Sequence, residues 1–99
     1  MRRAVLAAVI GVFAPVAGIA GPIDSACIQS SRAANPMLCA CIQSVADMTL
    51  TGADQRLAAK FFRDPGKAQD VRQSASTRHR EFWARYMTFG QAAEQVCAQ

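Results

Sequence analysis

Four cysteines in a chain of 99 residues, Cys27, Cys39, Cys41 and Cys97, constrain this fold more than any other feature. An even set in a short chain is a disulfide framework, a metal site or a redox device, and the compartment decides among them. The N-terminus speaks to the compartment. Met1-Arg2-Arg3 is a short basic start, and residues 4–20 form an apolar run rich in Ala and Val. Gly18 and Ala20 stand at the −3 and −1 positions of a cleavage site before Gly21, the layout of a secretory signal peptide over residues 1–20. A membrane anchor is the rival reading. The run lies at the lower limit for a span and is interrupted by Gly11, Pro15 and Gly18. Asp24-Ser25-Ala26 before Cys27 lacks the apolar residue that a lipid-attachment box needs. The expected address is periplasmic or secreted.

Cleavage there leaves residues 21–99 as a single small domain, 79 residues long. The 52% hydrophobic content is inflated by the leader. Without Arg2 and Arg3, nine basic residues face seven acids, a net charge of +2. That is too weak for a nucleic-acid footprint. A core this small is marginal, and chains of this size usually carry staples. Two disulfides are the expected ones here.

No useful stretch alternates with period two, while Ala, Gln, Arg and Met are plentiful, so the expected elements are helices. The punctuation predicts five. The first runs over 24–33. Asn35-Pro36 caps and opens the second, over 36–48, with Leu38, Cys41, Val45 and Met48 as its apolar stripe. Thr51 with Asp54 resembles a capping box and opens the third. Asp64-Pro65-Gly66 starts a short helix ending near Gln73. The last runs over 77–97 with the stripe Phe82, Tyr86, Phe89, Ala93 and Val96, and Trp83 at its edge. The expected fold is all-α, a small irregular helical bundle stapled by two disulfides.

Residues two apart on a helix point about 200° apart, so Cys39 and Cys41 leave the second helix in different directions. If the first two helices form a hairpin pivoting on Asn35, Cys27 lies as far before the pivot as Cys41 lies after it. The expected pairs are therefore Cys27–Cys41 and Cys39–Cys97, with Cys27–Cys39 plus Cys41–Cys97 as the alternative. Cys39, Cys41, Met37, Met48 and His79 are also soft ligands suited to copper(I). Structural zinc wants two ligand pairs at characteristic spacing, which one histidine and scattered cysteines do not provide. An oxidising address and the unused Cys27 and Cys97 argue against metal, so no metal or other cofactor is expected.

Residues 76–86, "STRHREFWARY", concentrate charge and aromatics. Arg78, Arg80 and Arg85 beside Trp83 form a candidate surface for an anionic partner. The plainer reading pairs Glu81 with Arg85 on a solvated face and lays Trp83 over the core edge. His79 has no nucleophile beside it, and there is neither a glycine-rich phosphate loop nor a catalytic pair of acids. Enzymatic activity is not expected.

The blocks "SAC", "LCACIQSVADMTL", "DQRLAAKFFRDP", "AQDVRQS", "FWARYMTFG" and "AEQVC" resemble a family of short exported four-cysteine proteins from alphaproteobacteria related to Rhodobacter. Many of its members carry the label "arginine transporter". The resemblance implies export and the cysteine framework. A transporter, however, lines a path through the bilayer with spanning helices, and no segment after the leader qualifies. The expected function is a non-enzymatic binding or interaction module of the cell envelope, its partner an envelope protein or other periplasmic component. The alternatives are an accessory or solute-binding component of arginine uptake, and a redox or copper-handling protein using Cys39 and Cys41.

Overall fold

The computed structural model describes residues 21–30 and 35–98. The expected signal peptide and the end of the first expected helix lie outside the described residues. Among the described residues there are five helices and no strand: α1 Pro22–Gln29, α2 Pro36–Thr49, α3 Gly52–Arg63, α4 Pro65–Arg72 and α5 Thr77–Cys97. The expected all-α architecture is what forms.

Local chemistry sets most of the helix starts. The Asn35 side chain accepts from the Met37 and Leu38 amides, and Pro36 occupies the first turn, where its missing N–H costs nothing. Thr51 accepts from the Asp54 amide, Asp64 from Gly66, and Ser76 from His79. Each cap satisfies an amide that the helix itself leaves without a partner.

α2 packs against both α1 and α5, α1 also covers α3, and α5 continues across α3 and α4. Ile23 and Ala26 from α1 meet Val45 and Ala46 from α2, Ala58, Ala59 and Phe61 from α3, Val71 from α4, and Phe82 and Phe89 from α5. Phe61 is the aromatic hub. Its ring centroid lies 5.2 Å from Tyr86 and 6.0 Å from Phe82, both edge-on, a favoured geometry for aromatic pairs. Burial in this cluster pushes the Tyr86 hydroxyl above its ordinary pKa.

The disulfides correct the expected pairing. Cys27 is bonded to Cys39, and Cys41 to Cys97, with Cα–Cα distances of 5.6 and 5.8 Å. The pivot explains the difference. α1 ends at Gln29 and α2 begins at Pro36, so the sequence midpoint between the two helices lies before Asn35. Cys27 stands two residues before the end of α1 and Cys39 three after the start of α2, so these two meet. The expected divergence of Cys39 and Cys41 holds, with the destinations exchanged: Cys39 turns to α1 and Cys41 to α5.

The expected α2 stripe holds at Val45, which is buried, and fails at Met48. Packing on two sides gives this helix two inner faces. Cys39, Gln43 and Ala46 are buried on one; Leu38, Cys41 and Ile42 border α5 on the other. Met48 is 74% exposed, and Val96, expected on the α5 stripe, is 58% exposed.

Candidate functional site

The four candidate residues of α5 do not lie on one face of the helix. Arg78 and Arg85 are seven residues apart, two helical turns, and therefore share a face. Arg80 points elsewhere: its guanidinium folds back on the helix entrance, donating to the Ala75 carbonyl at 3.0 Å and to Thr77 Oγ1 at 3.5 Å. Trp83 is half-buried, its ring 5.1 Å from Tyr86 and 6.3 Å from Phe61. The plainer expectation for Trp83, a cover on the core edge, describes it.

Arg78 and Arg85 line a cleft of about 430 Å³ between α3 and α5, together with Asp54, Leu57, His79 and Phe82. Asp54 is the anchor. Its carboxylate accepts from Arg85 Nε at 2.7 Å and Nη2 at 3.0 Å, a two-pronged bond that fixes the guanidinium plane. The Asp54 side chain is 8% exposed and that of Arg85 44%. The hydrogen-bonded Arg85 guanidinium holds the Asp54 carboxyl below the ordinary carboxylate range, against the opposing pull of burial. The expected Glu81–Arg85 pair gives way to this contact, and Glu81 adds only a longer-range attraction that helps raise the Arg85 pKa.

The remaining groups of the cleft are less engaged. Arg78 is exposed, and its guanidinium has no ion pair or hydrogen bond among the described residues. His79 is half-buried, and its Nδ1 is buried without a hydrogen-bond partner among the described residues. An unmet buried polar atom of this kind costs stability.

A second concavity of about 770 Å³ lies between α2 and α5, bordered by Met37, Leu38, Ile42, Ala93 and Val96 and by the Cys41–Cys97 bridge. Met37 is 83% exposed there. Cys39 and Cys41 each form a disulfide with another helix, so neither offers a thiolate for copper or for thiol exchange in this state. Met37 and Met48 lie out on the surface.

One polar site carries no periodic signal in the sequence. Gln43, 4% exposed, accepts from the Asp24 amide at 2.8 Å and donates to Asp47 Oδ1 at 2.9 Å and Gln55 Oε1 at 2.7 Å. Gln55 Nε2 completes the ring by donating to Asp47 at 3.1 Å. This network ties α1, α2 and α3 together and is structural in character. Its one local hint is the i,i+4 spacing of Gln43 and Asp47 on α2.

Among the described residues no helix is long and apolar enough to cross a membrane. No protein-family model, curated protein or solved structure matches this chain.

Proposed function

We propose that this chain is a non-enzymatic interaction module of the cell envelope, exported through its N-terminal leader and rigidified by two disulfides. The bridges support an oxidising address, because thiols in a reducing cytosol are kept free. Helices stapled at two places can hold a surface in a fixed shape, which lowers the ordering cost of binding. The likeness of the cysteine blocks to short exported four-cysteine proteins points the same way.

The observation that carries the reading is Arg78, an exposed guanidinium without a partner among the described residues, beside a second guanidinium already oriented by Asp54 and an apolar wall. Arginine is enriched at protein interfaces because its planar fork and long apolar stem make both polar and packing contacts.

The test is capture from envelope extract on the oxidised residue 21–99 protein, comparing wild type with Arg78→Glu. A defined partner retained by wild type and lost from Arg78→Glu, with the helical circular dichroism of the two proteins equal, supports the proposal. Retention by both, or by neither, contradicts it.

A further inference from the structure

The α3–α5 cleft has a charge balance that selects among ligands. Arg78 and Arg85 contribute two positive charges and Asp54 one negative, leaving one positive charge when His79 is counted as neutral. Arg85 directs Nε and Nη2 at Asp54, which leaves its Nη1 edge available. No described residue engages the Arg78 fork. Leu57 is partly buried and Phe82 is a core residue; together they supply the apolar wall. The volume of about 430 Å³ lies near the small end of ligand sites.

From this combination we infer that the cleft binds a single carboxylate carried on an apolar body, gripped by Arg78 and Arg85 while the apolar part rests toward Leu57 and Phe82. The inference rests on the interaction reading above and names the chemistry that the site recognises. A monoanion neutralises the cleft. A dianionic phosphate overshoots that balance and crowds the Asp54 carboxylate. A cation such as free arginine meets two guanidinium groups. Because Asp54 already orients Arg85, little side-chain freedom at that residue is lost on binding.

Two sources present this chemistry, the C-terminus of a peptide ending in an apolar residue and a free organic acid. The probes separate them: N-acetylphenylalanine for the peptide end, 3-phenylpropionate for the free acid, with N-acetylphenylalaninamide and inorganic phosphate as controls. Each is titrated into ¹⁵N-labelled, oxidised residue 21–99 protein while amide resonances are followed. Ligand efficiencies typical of larger ligands put the dissociation constants of these two acids at about 0.5 to 5 mM.

The expected result is saturable movement of the Ala53, Arg78 and His79 amides with at least one acid, and binding of the uncharged amide weaker by roughly tenfold. The tighter of the two acids assigns the source. Arg78→Gln weakens binding by a similar factor, and Arg80→Gln, on another side of the helix, leaves it unchanged. Equal binding of the uncharged amide, tighter binding of phosphate, or no movement at these residues overturns the inference. If neither acid binds while envelope capture still depends on Arg78, the interaction module stands and only the carboxylate assignment falls.

Discussion

Asp54 and Arg85, separated by 31 residues in the chain, clasp each other through two hydrogen bonds of 2.7 and 3.0 Å and join the start of α3 to the middle of α5. The same contact braces the bundle and orients one wall of the cleft. A carboxylate with two such bonds is a ready-made guanidinium receptor, and in this fold it is filled from within.

Asp54→Asn keeps the shape and removes the charge. It should cost about 1 kcal/mol near neutral pH, a modest figure for a charged pair because Arg85 is half exposed. The folded carboxyl titrates below its ordinary value of 3.8, so its contribution is fully present above that value and is lost as pH falls through the folded one. Urea unfolding of both proteins should therefore show a stability gap at about pH 7 that narrows by about pH 3. A gap of the same size at both would mean that the ionised pair is not its source.

The two bridges should differ in both energy and access. They close loops with sequence separations of 12 and 56 residues, which the loop-entropy model values at about 3 and 4 kcal/mol. Cys97→Ser should thus destabilise more than Cys27→Ser. Cys27 and Cys39 are fully buried, whereas Cys41 and Cys97 are partly exposed beside the α2–α5 concavity. Graded reduction with alkylation should label Cys41 and Cys97 first. Only Ala40 separates Cys39 from Cys41, so this staged labelling also assigns the pairing where simple peptide mapping cannot.

Gly21 and Gln43 should be coupled. A Cβ on Gly21 would fall 2.7 Å from the Gln43 carboxamide, which three hydrogen bonds hold in place. Gly21→Ala should destabilise by about 1 kcal/mol, and Gln43→Ala by about 2 kcal/mol through the partners it strands. In the double variant the alanine methyl meets open space, so the combined cost should fall short of the sum. Strict additivity in thermal unfolding would show that the network yields without strain.

Arginine binding tests the solute-binding alternative. Specific recognition of a free guanidinium wants an open carboxylate pair-partner. Asp54 already holds Arg85, and Asp47 accepts from Gln43 and Gln55. Isothermal titration of the oxidised protein should detect no specific arginine binding tighter than about millimolar. Micromolar affinity removed by replacing Asp47, Asp70 or Glu94 would establish a solute-binding role instead.

Maturation is the simplest of the outcomes to read. Protein recovered from the periplasm should begin at Gly21, within a residue or two. A mass that retains Arg2 and Arg3 in a membrane fraction would make residues 1–20 an anchor.

The helices and most of their boundaries were legible in the sequence, because helix starts are local events. Asn35-Pro36, Thr51, Asp64-Pro65 and the serine-rich break before Thr77 each act within one turn, and each cap appears where its residues stand. The face of α5 that carries Phe82 and Phe89 was legible too, since one inner face gives one stripe. Cysteine partners, the buried Gln43 ring and the Asp54–Arg85 clasp were not. They depend on where α1 ends and on how far α2 is rotated between two neighbours. Two residues along a helix swing a side chain by about 200°, so a small shift of the pivot exchanges Cys39 and Cys41 between α1 and α5. Only the assembled bundle decides that rotation, because the buried surface that selects it comes from several helices at once.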